Sequence, residues 1–255
     1  MKNPVGIKTF FSSDEERHRA RLLELFRSCP IPEEQLFNNL GLFLNSKDLA
    51  RILFMDFLYR QIVSVHGVVM DLGTRWGQNM ALFTALRGMY EPFNRHKKII
   101  GFDTFRGFPS VSKKDGASDL MKKGNTATVK NYEVYLDDIL KSFEGCNPLS
   151  HIKKYDIRMG DASKEVPEYL RENPETIVAL AYFDFDIYAP TKECLKAIKP
   201  HLVKGSILAF DELNDHDSPG ETVALKEVFG LNTIRLQRFP ITSRVSYFVY
   251  EHEDR

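Results

Sequence analysis

The residues able to do chemistry in this chain are carboxylates, placed where short apolar runs end. The run Ala181-Tyr182-Phe183-Asp184-Phe185-Asp186 sets two acids at i and i+2, so both side chains fall on one face of an extended segment. A second run closes on Phe210-Asp211-Glu212 and continues through Leu213, Asn214, Asp215, His216 and Asp217. If the two runs are adjacent parallel strands, about 4.8 Å apart, their four acids converge. Such a group repels itself unless protons or a cation intervene. Hard oxygen donors of this kind suit Mg2+ or Ca2+ and argue against zinc. Solvated acidic loop ends are the plainer alternative.

Three more acids follow the same rule. The stretch Val68-Val69-Met70-Asp71-Leu72-Gly73-Thr74-Arg75-Trp76-Gly77 has an acid, then a glycine-bearing turn. Its glycines let the backbone approach a nucleoside-containing ligand closely. It lacks the G-x-G-x-x-G set that a diphosphate cofactor wants at a helix N-terminus. An ordinary tight turn from strand to helix has the same pattern. The stretch Gly101-Phe102-Asp103-Thr104-Phe105 ends in an acid suited to both ribose hydroxyls. Met159-Gly160-Asp161-Ala162 ends a third run the same way.

Positioning these acids takes strands that alternate with helices. From His66 onward the spacing predicts strands at Gly67–Leu72, Lys98–Phe102, Asp156–Met159, Ile177–Phe183 and Gly205–Phe210. Helices are predicted at Trp76–Gly88, Lys130–Phe143, Lys164–Asn173, Pro190–His201 and Glu221–Phe229. This βαβ repetition implies a Rossmann-like, doubly wound, mainly parallel α/β sheet with helices on both faces. Thr233–Phe239 and Val245–Tyr250 read as a closing antiparallel hairpin, for seven strands in all. Residues 1–65 form a helical extension ahead of the domain at 66–255. Ser13 with Glu16 fits a capping box before a helix to about Cys29, with further helices at Glu33–Leu44 and Ser46–Ile62. Gly107 to Val129 is polar and over twenty residues long. Loops of that length are usually lids or disordered, and this one leaves the carboxyl end of the second strand, so a flexible substrate-facing lid is expected.

Composition narrows the class. The 255 residues carry 35 Lys+Arg against 35 Asp+Glu, a net charge of zero, which argues against nucleic acid as partner because polyanion binding needs a cationic surface. The longest purely apolar run is seven residues, Ile177 to Phe183, far short of the ~20 of a membrane span. The N-terminal stretch lacks the apolar core of a secretory signal, and Cys29, Cys146 and Cys194 have no metal or redox spacing. A cytoplasmic location with reduced thiols is expected.

Over Gly67 to Gly230 the chain resembles the macrocin O-methyltransferase (TylF-like) family of class I S-adenosylmethionine-dependent methyltransferases. The resemblance runs through GVVMDLGTRWGQNM, ALRGMYEPFN, IIGFDTFRGFP, AYFDFDIYAPT, KPHLVKGSILAFDELND and PGET. It implies that Asp71, Gly73, Thr74 and Gly77 line the methionine side of S-adenosyl-L-methionine, with Asp184 also facing the cofactor. Asp71 stands where a Glu is common. Asp103 and Thr104 match the ribose site, and Asp161 with Ala162 the adenine turn. Asp184, Asp211 and Glu212 match the Mg2+ ligands of related sugar O-methyltransferases. Asp186 matches a proposed general base, with His216 a second candidate. The implied substrate is a deoxyhexose hydroxyl on a nucleotide sugar such as dTDP-rhamnose or on a glycosylated natural product. A diphosphate would need cations such as Arg75, Arg106, Lys113, Lys114, Lys122 or Lys123. The alternatives are a catechol-type small-molecule O-methyltransferase and a non-catalytic domain that binds the cofactor as an assembly partner. A homo-oligomer is the expected assembly.

Overall fold

The computed structural model describes residues 11–251. The first ten residues of the stretch read as lacking a signal core, and the last four of the domain, lie outside the described residues. Strands β1 (Val68–Leu72), β2 (Ile99–Asp103), β3 (Tyr155–Met159), β4 (Val178–Phe183) and β5 (Leu202–Phe210) are parallel, and β6 (Gln237–Arg238) and β7 (Ser246–Val249) close the sheet. The order is β3-β2-β1-β4-β5-β7-β6, with β7 antiparallel to β5 and β6 antiparallel to β7. The seven-stranded, mainly parallel α/β sheet with its antiparallel C-terminal pair is the architecture expected from the sequence. The order reverses between β1 and β4, the switch point where a crevice opens beyond the carboxyl ends.

Both faces of the sheet are covered, which is why the central strands read as nearly continuous apolar runs. One face sets Met70, Leu72, Ile100, Phe102, Ala181, Phe183, Leu208 and Phe210 against α6 (Ala162–Glu172), α7 (Tyr188–Ile198) and α8 (Gly220–Val228). On the other, Val69, Ile99, Leu180, Tyr182, Ile207 and Ala209 meet α3 (Ser46–Gln61), α4 (Gln78–Tyr90) and α5 (Tyr132–Gly145). Helix α3 reaches this core from the N-terminal segment. Its Phe54, Met55, Leu58 and Tyr59 are fully buried, and Asn45 caps it by accepting from the Lys47 and Asp48 amides. The preceding α1 (Ser13–Arg27) and α2 (Glu33–Leu36) bury no residue.

Several local details differ from expectation. The capping box of α1 is Ser12 with Glu15, one residue earlier than Ser13 with Glu16. The second helix stops after four residues and continues as a 3-10 turn over Phe37–Phe43. That stretch holds Asn38, Asn39 and Gly41, weak helix formers, and the Asn39 side chain donates to the Gln35 carbonyl. The strand expected from Thr233 shrinks to two residues, because Thr233 Oγ1 donates back to the Gly230 carbonyl at 2.9 Å and finishes the turn after α8. The 107–129 segment, expected to be a polar lid, also holds a small core of its own. Phe108 and Met121 pack with Ile187, Val111, Leu120 and Phe185, and a Ser112–Asp115 capping box holds a 3-10 turn at Lys113–Asp115. Its apolar residues follow no period, so its small core was invisible to pattern reading.

Gly73 ties this architecture to the site. It sits at φ 101°, where a side chain is strained, and a Cβ there would run into the Asp184 backbone. The β1 and β4 ends therefore approach closely only because this position is glycine. Gly73→Ala is expected to destabilise the protein by about 1–3 kcal/mol, read as a lower midpoint in denaturant or thermal unfolding.

Candidate active site

The site is built at the carboxyl edge of β1, β2, β4 and β5, across the switch point. Asp71 is fully buried in β1. Its Oδ1 accepts from Asn79 Nδ2 of α4 at 3.1 Å, while its Oδ2 is buried without a hydrogen-bond partner. Burial pushes the carboxyl up to about 6, against the opposing pull of Asn79, Thr74 and Arg51. A buried acid with one oxygen unsatisfied beside a close-approach glycine has the chemistry to accept from a cationic group such as an ammonium. Thr74 spends its hydroxyl locally, donating to the Asp71 carbonyl. Gly77 caps α4 in a left-handed conformation.

At the end of β2, Asp103 accepts from the Arg75 and Phe105 amides at 2.8 and 2.6 Å. These bonds aim the carboxylate and partly offset the desolvation that raises its pKa. Thr104 turns its hydroxyl to the Gly107 carbonyl at 2.7 Å, inside the loop. Asp161 is the N-cap of α6, accepting from Ser163 N and Oγ at 3.0 and 2.7 Å. Ala162 follows it, buried. The Gly160 amide donates to the Asp103 carbonyl, joining the β2 and β3 ends.

The β4 and β5 ends hold the expected acid cluster, with cations the sequence reading had not placed there. Arg51 reaches in from α3. Its guanidinium bridges Asp184 Oδ2 at 2.8 Å and Asp211 Oδ1 at 2.9 Å, and donates to Asn79 Oδ1 at 3.3 Å. Tyr182 Oη also donates to Asp211 Oδ1, at 2.7 Å. Glu212 turns away to pair with Arg244 and to accept from Ser218 Oγ at 2.8 Å. Burial raises the Asp184 carboxyl well above its ordinary range, Asp211 adds to the rise, and Arg51 opposes it. Asp186 lies in the left-handed region at φ 61°. Its carboxyl is also raised, by burial first and then by Asp211, with Arg244 and Arg75 pulling the other way.

The structure thus brings Asp71, Asp184, Asp186 and Asp211 into one electrostatic neighbourhood. Glu212 is at its edge, engaged elsewhere. His216 stands exposed on the connection from β5 to α8, outside the hydrogen-bonded cluster. Among the described residues, no group of three or more His, Cys, Asp or Glu side chains is arranged to hold a metal ion. As arranged, Asp184, Asp211 and Glu212 do not fit a divalent cation, because Arg51 takes the place between the first two and Arg244 holds the third. Arg51, Asn79, Arg244 and Glu221 are the site residues that sequence reasoning missed. Arg51 and Arg244 come from the two ends of the chain, and nothing in their local pattern marks them.

A seven-stranded sheet in this order, with a buried acid and close-approach glycine at β1 and an acid at the end of β2, has the architecture of an S-adenosylmethionine-dependent methyltransferase. No helix among the described residues is long and apolar enough to cross a membrane. No family profile matches the chain, and no curated protein sequence matches it. Among solved structures, the chain is similar to CalS11, a calicheamicin methyltransferase, at 41% identity and a TM-score of 0.93, over 99% of this chain and 98% of that one. An apo structure of CalS11, described as a TDP-rhamnose 3'-O-methyltransferase, matches at 39% identity and a TM-score of 0.85, over 96% and 97% of the two chains. The O-methyltransferase NovP, at 15% identity, a TM-score of 0.60 and 80% of each chain, shares the fold. This chain belongs to the family of the calicheamicin methyltransferase CalS11, in agreement with the TylF-like resemblance seen in its sequence.

The raised pKa of Asp71 sets a pH dependence of stability. The native state holds the proton up to about 6, whereas the unfolded chain releases it near 3.8. Wild type is therefore penalised relative to Asp71→Asn as pH rises from the lower value through the higher one. The penalty is on the order of 3 kcal/mol above pH 6. Asp71→Asn is expected to be the more stable protein at pH 7 and to lose that advantage near pH 4, read from denaturant melts at both pH values.

Proposed function

We propose that this enzyme transfers the methyl group of S-adenosylmethionine to a hydroxyl of a deoxyhexose carried on a nucleoside diphosphate. The observation that supports this most is the place of Asp186, a raised carboxyl beside Asp184 and Asp211 at the switch point of a chain 41% identical to a calicheamicin methyltransferase. The relative described as a TDP-rhamnose 3'-O-methyltransferase supports rhamnose as the sugar.

The donor fits the residues at β1 and β2. The unsatisfied Asp71 Oδ2 suits its ammonium, Gly73 admits its methionine chain beside β4, and Asp103 keeps acceptor capacity for ribose hydroxyls. The donor supplies an electrophilic methyl; the protein must orient the acceptor oxygen and take its proton. Asp186 takes that proton, and its raised pKa suits it as a base near neutrality, a role worth typically about 10²–10⁴-fold. Alignment of the oxygen with the methyl contributes more, roughly 7–11 kcal/mol. Of the cations available for a diphosphate, Lys114 is paired with Glu227 and Lys122 with Asp119. Arg75 leaves its Nε buried without a hydrogen-bond partner and lies within electrostatic reach of Asp186. We assign the diphosphate contact to Arg75.

A divalent cation enters this site only if Arg51 leaves the gap between Asp184 and Asp211. Two guanidinium groups supply the positive charge in the arrangement described, and no step above depends on the ion. Replacing the competing cation, as Arg51→Met, is expected to strengthen Mg2+ binding in calorimetric titration. Equal binding by both proteins would place the ion elsewhere.

The activity is tested by following S-adenosylhomocysteine release with TDP-rhamnose as acceptor and catechol as comparison. Release is expected with the nucleotide sugar and not with catechol. Turnover of catechol alone would overturn the sugar assignment. Asp186→Asn is expected to lower kcat by about 10²-fold or more while leaving S-adenosylhomocysteine affinity in place. Full activity in this variant would move the base to another group, His216 first.

A further inference from the structure

The segment that carries Asp186 is held by two buried acids from outside β4. Asp186 is not a glycine, yet its φ of 61° lies in the left-handed region, which costs an ordinary residue of order 1 kcal/mol or more. Something must offset that cost. Glu221, the second residue of α8, is fully buried, and its Oε1 accepts from the Phe185 amide at 2.9 Å and from the Asp186 amide at 3.3 Å. One carboxyl oxygen thus gathers two successive amides of the turn that aims Asp186. Two residues on, Asp115 Oδ1 accepts from the Tyr188 amide, and the Thr191 hydroxyl donates to the Ile187 carbonyl. Helix α8 can come this close because residue 220 is glycine. A Cβ there would lie 2.5 Å from the Tyr188 nitrogen and 2.7 Å from Asp115 Oδ1.

We propose that Glu221 is a positioning residue for methyl transfer, its Oε1 holding the Phe185–Asp186 amides so that Asp186 keeps its strained conformation and its aim into the site. The assignment rests on Asp186 being the base. Glu221 has no other evident task. Its Oε2 is buried with no hydrogen-bond partner, and it makes no ion pair among the described residues. A buried acid kept only for packing would be replaceable by an apolar residue, and stability would favour the replacement. Burial, with Asp186 and Asp184 nearby, drives its pKa well above the ordinary carboxyl range. Glutamine reproduces its length and its Oε1 acceptor. Glu221 lies in PGET, a stretch whose sequence shows no partner for the acid; the partner is a pair of amides some 35 residues away.

The test compares Glu221→Met, Glu221→Gln, Asp186→Asn and the double variant Glu221→Met/Asp186→Asn in the full chain. Reads are kcat, KM for TDP-rhamnose and the dissociation constant of S-adenosylhomocysteine. Glu221→Met removes the acceptor and is expected to lower kcat by about 10–100-fold, with both affinities within about threefold of wild type. Glu221→Gln is expected to recover most of that loss. The double variant should be no slower than Asp186→Asn alone, because the two side chains act as a unit. If Glu221→Met does not fold, Glu221→Asp, whose carboxyl is one methylene short of the amides, replaces it under the same criteria. An undiminished kcat in the Met or Asp variant while Asp186→Asn is inactive overturns the role of Glu221 and leaves the base assignment standing. A Gln variant as slow as the Met variant, or losses that multiply in the double variant, also overturns it. Full activity in Asp186→Asn instead removes the base reading, and this proposal with it.

Discussion

Carboxylate crowding at the carboxyl edge of the sheet is the constraint on which the rest of this structure depends. Asp71, Asp184, Asp186, Asp211 and Glu221 gather where β1, β4 and β5 end, and most of this group is withdrawn from water. Two unit charges about 4 Å apart at an effective dielectric near 20 interact by roughly 4 kcal/mol, so the cluster would not persist if every member were bare and charged. Three devices relieve it. Arg51 pairs with Asp184 and Asp211 together, Arg244 pairs with Glu212, and burial shifts the carboxyls of Glu221 and Asp71 upward, toward their uncharged forms.

These devices explain why distant parts of the chain are drawn to one edge. Helix α3, ahead of the first strand, is anchored by Phe54, Met55, Leu58 and Tyr59 in the core, and that anchor delivers Arg51. Arg244 arrives from the connection between β6 and β7. Glu221 arrives at the start of α8, and Asp115 from the loop after β2. The edge is therefore assembled from segments as far apart along the chain as Arg51 and Arg244. Asp184, Asp211 and the backbone of Asp186 are thus held by groups from other segments.

The five parallel strands and their terminal acids were legible in the sequence for a simple reason. Strands buried on both faces leave unbroken apolar runs, and each run stops where the chain reaches solvent or ligand, so Asp71, Asp103, Asp161, Asp184 and Asp211 mark their own positions. The small core of the 107–129 loop was not legible, because Phe108, Met121 and Ile187 come together without any period in the chain. The closing hairpin was placed correctly but drawn too long at Thr233, where a side-chain hydroxyl completes a turn.

The sequence by itself determined the fold, the acids at the strand ends and the family, since these rest on local periodicity and on long contiguous matches. Only the tertiary structure decided what neutralises those acids. In the sequence the cluster asked for protons or a cation; in the fold Arg51 and Arg244 pair with its acids, and Glu221 holds the Phe185 and Asp186 amides. Partners of buried charges are chosen by proximity in space, and side chains 32 to 160 residues from the acids they meet leave no trace of that proximity in the local pattern of the chain.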